Sequence, residues 1–303
     1  MKNAFGMNIY EISDLLEERE VERYVNSTLS VVFEHLEIPM AESKILADKC
    51  IGLAKNCNDI PDYEKEVHDL LEEFGITRKF SRKLFTRSLQ VFFQIKKYLI
   101  DGSVLDLGCG DGKIGALLGN NGHKVVLSDI YENPNIKNTG LDFRGFNEGD
   151  NIPAEENEFD NCLALTVFHH SNNPVKTLKE IYRVTKNNGR VIVIESVYGV
   201  NGPGEQENGN TENKEFVSLK VEQQRMVNIY FDHFYNRIIN YTNNPKEKAL
   251  VPYNFNTPEG WQKLFEINGF VQEKIIHLGI DQPLVPEYHT LHILNVTKDL
   301  PLN

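Results

Sequence analysis

An apolar run, a glycine-rich turn and the start of a helix follow one another in residues 104–115, VLDLGCGDGKIG. In open parallel sheets, ligands bind outside the carboxyl ends of the strands, at the point where the strand order reverses. Glycines there let the backbone turn tightly and approach a ligand without a Cβ clash. The helix that follows offers free N–H groups and a positive dipole end. The stretch therefore predicts a ligand-binding turn in an α/β protein.

Short β-type runs alternate with helical stretches on both sides of this turn. The predicted strands are residues 103–107, 124–128, 159–167 and 190–197, with helices over 112–121 and 174–186. This alternation indicates a parallel sheet with helices on both faces. Thr257-Pro258-Glu259 then predicts the capped start of a helix that stops at Asn268-Gly269, and strands over 271–277 and 288–296 close the chain.

The remaining residues are mainly helical in pattern. Apolar residues recur at three- and four-residue steps over residues 1 to about 100. The pattern predicts a helix that stops at Gly75 and a further helix over 81–99. A Gly-, Asn- and Glu-rich loop over 199–215 leads to an aromatic-rich helix over 216–242. We expect a helical domain over 1–97 and a second domain over 98–303 that carries an insertion at 199–256.

Two kinds of ligand compete for the glycine turn. Gly110, Gly112 and Gly115 match the dinucleotide fingerprint, but the first glycine of that fingerprint belongs at the strand end, where Gly108 stands. Asp106, inside the strand end, would repel a pyrophosphate. S-adenosylmethionine carries a sulfonium and an ammonium group and no phosphate, so an acid at this place attracts it. The turn therefore favours S-adenosylmethionine.

Further motifs follow in the order typical of one family. Residues 106–112 read D-x-G-x-G-x-G, residues 125–129 read VVLSD, and residues 166–170 read TVFHH. Together they resemble the class I S-adenosylmethionine-dependent methyltransferases, in their small-molecule, methyltransferase-11-like branch. The resemblance covers about residues 95–198 and 257–298. It implies a Rossmann-like, seven-stranded, mostly parallel sheet with an antiparallel last strand, an N-terminal helical domain and a helical lid inserted after strand five.

The resemblance also implies the roles of the site residues. Asp106 and the glycines hold the methionyl part of the cofactor, Asp129 holds the ribose hydroxyls, and an acid near Asp150 lies by the adenine, although the loop 146–151 aligns ambiguously. S-adenosylmethionine is the expected cofactor and S-adenosylhomocysteine its product. The expected cofactor-binding residues are Asp106, Gly108, Cys109, Gly110, Gly112, Asp129, Ile130, Asp150, Asn151, Thr166 and His169.

Histidines and a tyrosine are the candidates for catalysis. His169 and His170 follow strand four, and adjacent strand residues point to opposite faces, so we expect that they do not both face one ligand. Packing, backbone contact with the cofactor and catalysis remain open for them. His233 and Tyr235 in the lid, and His289 as a general base, are the candidate catalytic residues; packing or a surface turn is the alternative. No metal site is predicted, because no set of carboxylates accompanies the histidines.

Charge limits the class of partner. The chain has 44 acidic and 32 basic residues, a net charge of -12, which makes it a poor default binder of phosphate backbones. Residues 1–76 hold 17 acidic and 7 basic residues, a balance of -10. We expect these acidic helices to form a lid or a homodimer surface, with the basic run 78–87 as a docking partner. No nucleic-acid partner is expected.

The cellular compartment and the methyl acceptor are predicted from less specific features of the sequence. Four cysteines lack metal-type spacing, no apolar segment reaches membrane length, and residues 1–20 lack the apolar core of a signal peptide. We expect a cytoplasmic protein without membrane contact. The expected function is methyl transfer to a small molecule, at oxygen, nitrogen, sulfur or carbon. The alternatives are a methyltransferase of RNA or protein and a non-catalytic binder of S-adenosylmethionine.

Overall fold

The computed structural model describes residues 2–7, 10–57, 59–201, 211–245 and 247–298. These residues group into two compact units. Unit 1 comprises Met1–Leu84, Ser196–Thr257 and His277–His289, and unit 2 comprises Phe85–Glu195, Pro258–Ile276 and Thr290–Asn303. Most of unit 1 comes from the N-terminal helical region and from the segment after strand five.

Helices and strands follow one another as the order of the motifs predicts. The α-helices are α1 (Ile12–Leu15), α2 (Arg19–His35), α3 (Met40–Lys55), α4 (Ile60–Glu73), α5 (Ile76–Ile95), α6 (Lys113–Asn120), α7 (Pro174–Val184), α8 (Thr211–Ser218), α9 (Val221–His233) and α10 (Pro258–Ile267). The strands are β1 (Ser103–Leu107), β2 (Lys124–Asp129), β3 (Asp142–Gly145), β4 (Phe159–Leu165), β5 (Thr185–Ser196), β6 (Phe270–Gly279) and β7 (His289–Val296).

Unit 2 is built on a seven-stranded mixed sheet in the order β3-β2-β1-β4-β5-β7-β6. Strand β1 pairs in parallel with β2 and β4, and the pairs β2–β3 and β4–β5 are parallel as well. The chain moves outward from β1 to β3 and then returns to the other side of β1 at β4, so the order reverses at β1. The predicted Rossmann-like, mostly parallel sheet of seven strands is confirmed, and the glycine turn lies at its reversal point.

Local chemistry explains why these elements begin and end where they do. Helix α7 starts because the Asn173 side chain accepts a hydrogen bond from the Lys176 N–H at 3.0 Å, with Pro174 in the first helical position. The strand predicted over 159–167 ends at Leu165, since Thr166 takes a φ of 59°. Strand β3 was not predicted, because it has four residues and none of them is buried.

Unit 1 is helical, and its helices differ in detail from the predicted ones. Helix α5 begins directly after Gly75, whose φ is 64°, rather than at residue 81. The continuous helix predicted over 216–242 is wrong: α8 ends at Ser218, α9 follows, and Phe234–Ile239 form a π-helix. Nearly every residue from Gln223 to His233 is buried, so α9 is an interior helix of unit 1 rather than an amphipathic surface helix.

Part of the predicted basic run contacts the end of an acidic helix within unit 1. Lys83 Nζ lies 3.2 Å from Glu37 Oε1 and also donates to the His35 carbonyl oxygen. Lys79 Nζ donates to the Glu37 carbonyl oxygen at 3.4 Å. These carbonyls end α2, where a helix dipole attracts cations.

Two further predictions concern the loop after β5 and the absence of a membrane-spanning segment. Of the loop predicted over 199–215, residues 202–210 lie outside the described residues, and the prediction is wrong for residues 211–215, which belong to α8. Within the part of the chain that the structure describes, no helix combines the length and apolar character needed to cross a bilayer.

Candidate active site

The glycine turn is held against the ends of two neighbouring strands. Gly108, Gly110 and Gly112 have φ values of 68°, 54° and 73°, which L side chains rarely adopt. The amides of Gly108 and Cys109 donate to the Ser128 carbonyl oxygen at the end of β2, at 2.8 and 3.3 Å. A Cβ on Gly108 would lie 2.6 Å from Val167 Cγ2. The turn therefore has its shape because side chains are missing at these places.

Asp106 is a buried carboxyl group directly beneath this turn. Only 2% of the residue is exposed, and its Oδ2 atom makes no hydrogen bond with any described residue. Burial, and then the charge of Asp129, raise the pKa of Asp106 to about 7, while the Gly115 amide acts in the opposite direction. A buried carboxyl without a partner costs free energy unless a cation or a donor reaches it.

Asp129 ends β2 and bonds to the glycine turn. Its Oδ2 accepts from the Gly110 N–H at 2.9 Å and its Oδ1 from the Tyr131 N–H at 3.3 Å. Burial raises the pKa of Asp129, and these backbone amides work against that shift. Ile130, which follows, is exposed. The two acids predicted to meet the cofactor thus lie on neighbouring strands, close enough for one charge to affect the other.

The carboxyl end of β4 is held by a residue that sequence reasoning missed. Glu195, near the end of β5, has no exposed surface. Its Oε1 accepts from the amides of Val167 and Phe168 at 2.9 and 2.7 Å, and His169 Nδ1 lies 2.5 Å from its Oε2. Thr166, just before, donates its N–H to the Ile194 carbonyl oxygen at 2.7 Å. Glu195 therefore fixes the backbone and one histidine of the segment after β4.

The prediction that His169 and His170 point to opposite faces is wrong. It assumed strand geometry, whereas Phe168–His170 form a 3-10 turn beyond the end of β4. The two imidazole rings lie 4.1 Å apart. His169 is buried and His170 is half-exposed, so the inner ring is the one held by Glu195.

The loop expected to meet the adenine begins beside Asp129. Gly145 pairs with Asp129. Asp150 is exposed, and its Oδ2 accepts from Asn147 Nδ2 at 2.8 Å. Asn151 lines an open surface cleft of about 690 Å³, together with Arg144 and Arg183. The structure thus places Asp150 and Asn151 on the loop that leaves β3.

Comparison with known proteins agrees with this geometry. Residues 105–193 match the family model described as a methyltransferase domain. These residues form a methyltransferase domain, and the chain is a methyltransferase that uses S-adenosylmethionine. The matched residues contain the glycine turn, Asp106, Asp129 and the 3-10 turn after β4. Comparison with curated proteins gives no significant match.

Solved structures similar to this chain include methyltransferases from two organisms. One, from Thermotoga maritima, is described as an S-adenosylmethionine-dependent methyltransferase and possible histamine N-methyltransferase; it is 17% identical, covers 76% of this chain and 97% of its own, and gives a TM-score of 0.48. Another is the 1,6-didemethyltoxoflavin-N1-methyltransferase of Burkholderia thailandensis, bound to 1,6-didemethyltoxoflavin and S-adenosylhomocysteine; it is 16% identical, covers 80% of this chain and 92% of its own, with a TM-score of 0.46.

The glycine turn of the methyltransferase suits S-adenosylmethionine in two ways. The Asp106 carboxyl lacks a hydrogen-bond partner at Oδ2 among the described residues, and a cation is the partner that would stabilise its charged form. A Cβ on Gly110 would meet no atom within 4 Å, so there is open space above the turn. These observations fit a cationic ligand rather than a pyrophosphate.

His233 lies in a buried polar network in unit 1 of the methyltransferase. Its Nδ1 is 2.8 Å from the Tyr253 hydroxyl, and its Nε2 is 3.6 Å from Glu64 Oε1. Glu64 is fully buried and also pairs with Arg237 at 2.9 Å and with Lys248 at 3.0 Å. Burial lowers the pKa of His233 to about 4, against the opposing effect of Glu64. His233 is therefore neutral near pH 7.

Tyr235 lies in the π-helix, which is a rare structure that often occurs at functional sites. Its ring is 5.4 Å from that of Phe80. Both rings line a small apolar cavity in unit 1 with about 10 Å³ of open space, enough for about one water molecule. Its other lining residues include Leu29, Val32, Phe231 and Phe234.

His289, the third candidate, starts β7 and is fully buried. Its Nδ1 is 3.3 Å from Asp281 Oδ1, outside hydrogen-bond geometry. The surface turn that the sequence left open for His289 is excluded by its burial. Among the described residues of unit 1, no hydrogen bond or ion pair joins His289 to His233 or Tyr235.

Proposed function

We propose that the methyltransferase acts on a small-molecule acceptor. The observation that supports this proposal is the net charge of -12, which disfavours a nucleic-acid acceptor. The apolar cavity bordered by Tyr235 has room for about one water molecule, so it marks only where aromatic side chains gather in unit 1. Small-molecule sites are concave and mainly apolar, with a few polar groups that set orientation. The Tyr235 hydroxyl would be such a group, and His233 and His289 remain candidates for contact with the acceptor.

The residues of unit 2 would divide the cofactor between them. Asp106, with the turn residues Gly108, Cys109, Gly110 and Gly112, would hold the methionyl part, because an acid beneath open glycines suits its ammonium and sulfonium charges. Asp129 would accept from the ribose hydroxyls. Each of its oxygens accepts one backbone hydrogen bond, from Gly110 and from Tyr131, and each has a second lone pair.

The rest of the predicted set would surround the adenine and the methyl group. Ile130 supplies an exposed apolar side chain next to Asp129, and Asp150 and Asn151 lie on the loop that begins beside it. Thr166 and His169 leave β4 at the edge where β1 ends. S-adenosylmethionine supplies an electrophilic methyl group, so positioning and exclusion of water are the main tasks of these residues.

Transfer of a labelled methyl group into fractionated extract tests the proposed function. The protein is incubated with methyl-labelled S-adenosylmethionine and with separate metabolite, RNA and protein fractions of a cell extract. We expect label in the metabolite fraction, in a product heavier by one CH₂ unit in mass spectrometry. The Asp129→Ala variant is the control, because it should lose cofactor binding. Label in RNA or protein alone would contradict a small-molecule acceptor.

The acidic N-terminal helices are the proposed surface for contact with the acceptor or with a second copy of the chain. The acidic helices of residues 1–76 are proposed as a cover of the acceptor or as a homodimer surface, in a cytoplasmic protein that contacts neither membrane nor nucleic acid. Deletion of residues 1–76 should then abolish acceptor turnover or change the oligomeric state, as measured by light scattering. Unchanged turnover and unchanged mass would refute the role of these helices.

A further inference from the structure

An irregular segment of unit 1 follows the π-helix and is bonded to two buried side chains. This segment, residues 247–254 and here called the strap, forms no helix and no strand. Lys248 Nζ lies 3.0 Å from Glu64 Oε2, and the Tyr253 hydroxyl lies 2.8 Å from His233 Nδ1. Glu64 and His233 are 0% and 4% exposed. The strap therefore supplies polar partners to groups that solvent does not reach.

Tyr253 has a backbone conformation that it does not prefer. Its φ is 54°, in the left-handed region that bulky L residues rarely occupy. Such a conformation costs free energy and persists only where the surrounding contacts impose it. Loss of the contacts around Tyr253 would therefore favour a change in the path of the strap.

Residues 3–7, here called the clip, supply contacts of this kind. Asn3 Nδ2 donates to the Tyr253 carbonyl oxygen at 2.9 Å, and the Ala4 N–H donates to Asn254 Oδ1 at 2.7 Å. Tyr253 and Asn254 are buried, whereas every residue of the clip is exposed or half-exposed. The clip is therefore a surface element that is bonded to the strained part of the strap.

One side chain determines the shape of the clip. Asn3 Oδ1 accepts from the N–H groups of Phe5 and Met7, at 3.1 and 3.0 Å, while the amide nitrogen of the same side chain bonds to the strap. Replacement of Asn3 by alanine would therefore remove the bonds that shape the clip together with one of the bonds that join the clip to the strap.

We propose that the strap is a gate in unit 1 and that the clip is its latch. In the closed form, Tyr253 and Lys248 bond to His233 and Glu64. When the clip is released, Tyr253 leaves its strained conformation, the strap moves away, and small molecules from solvent reach His233. The inference rests on the proposed function, in which His233 is a candidate for contact with the acceptor, and adds that such contact occurs only in the open form.

The strap can open without unfolding the rest of unit 1. Most of its residues are half-exposed. Phe255 is fully buried and Asn256 forms a β-bridge with Val197, so the chain is anchored directly after the strap. Segments held by hydrogen bonds near the surface open at a lower free energy than a buried core, and α9 belongs to such a core. We therefore expect the strap to open while α9 stays folded.

The first test measures access to His233 with diethyl pyrocarbonate, which reacts with neutral imidazoles. Burial lowers the pKa of His233 to about 4, so the ring is neutral at pH 7 and its rate of modification reports access rather than protonation. Mass spectrometry of peptides locates the modified ring. We expect Asn3→Ala to increase the rate at His233 about tenfold. The matched control is Asn56→Ala, which removes an exposed side-chain bond to the Gly52 carbonyl oxygen and should leave that rate unchanged.

Hydrogen exchange of the same variants distinguishes a gate from general loosening. In Asn3→Ala, exchange should rise about tenfold in the strap and stay unchanged in α9. Tyr253→Phe, which lacks the hydroxyl that bonds to His233, should also raise exchange in the strap. An equal rise in the strap and in α9, or no rise in the strap, would overturn the proposal. Neither measurement contains an acceptor, so methyl label found only in RNA or protein would refute the proposed function and leave the gate standing.

Discussion

Replacement of Gly115 by alanine tests the packing on which the cofactor turn depends. Gly115 lies in α6 with ordinary helical φ, so alanine brings no backbone strain. Its Cβ, however, would lie 2.4 Å from Leu127 Cδ2, 3.2 Å from Asp106 Oδ2 and 3.3 Å from Val125 Cγ1. All three neighbours belong to β1 and β2. The helix must therefore move away from the sheet, or Leu127 must leave its rotamer.

Two opposing contributions determine how much Gly115→Ala changes the free energy of unfolding. Overpacking of a tight core costs about 1–3 kcal/mol, whereas alanine gains up to about 1 kcal/mol over glycine in a helix. We expect Gly115→Ala to lower the free energy of unfolding by about 1–2 kcal/mol. Gly119→Ala, one turn later in α6, is the matched control: its Cβ would meet only Leu141 Cδ2, at 3.4 Å, so it should be neutral or slightly stabilising.

Urea unfolding followed by circular dichroism measures the difference between the two variants. Calorimetry with S-adenosylhomocysteine adds a second measurement, because a shift of Asp106 should weaken binding in Gly115→Ala and not in Gly119→Ala. If the two variants prove equally stable and bind the ligand equally well, the close approach of α6 to the sheet does not control the site.

Three further predictions concern buried carboxyl groups. Asp129→Ala should weaken binding of S-adenosylhomocysteine at least tenfold, about 1.4 kcal/mol, by calorimetry; unchanged affinity would refute the ribose assignment. The pKa of Asp106 is raised to about 7, from 3.8, so this carboxyl stabilises the free protein at low pH, and that contribution to the free energy of unfolding is lost as the pH rises to about 7. Affinity for the cationic S-adenosylmethionine should rise over the same pH range. Asp106→Asn should abolish the pH dependence of both the stability and the affinity. Glu64→Gln should cost about 2–4 kcal/mol in urea unfolding, because it leaves Arg237 and Lys248 without their partner, whereas Asp69→Asn, in an exposed pair on the same helix, should change stability by less than about 1 kcal/mol.

The sheet was predictable because its signals are local. Apolar runs of the right length, a glycine turn after β1 and a capped Asn173-Pro174 start of α7 each specify structure within a few residues. Strand β3 was missed because it has only four residues and none of them is buried. Its place at the sheet edge is set by pairing with β2. Such pairing depends on residues far away in sequence, which a local pattern does not record.

The helical unit was less predictable for a different reason. Helix α9 is buried on all sides, so it has no polar face that marks its ends. The π-helix that follows it inserts an extra residue into the turn, and no motif announces that. The prediction for His169 and His170 was wrong for a related reason. It assumed that side chains still alternate between two faces after Thr166, whereas the chain leaves the strand at that residue.

The sequence position of Glu195 follows the same pattern as those of Asp106 and Asp129. Asp106 interrupts the apolar run of β1, Asp129 ends β2, and Glu195 ends the run VIVIE of β5. An acid at the end of an otherwise apolar central strand is too costly to be retained without a partner. The first two were assigned to a cationic ligand, and the same reasoning asks for a partner of Glu195. In the structure that partner is His169 and two backbone amides. Applied to every strand end, the rule selects all three acids and predicts a buried partner for Glu195.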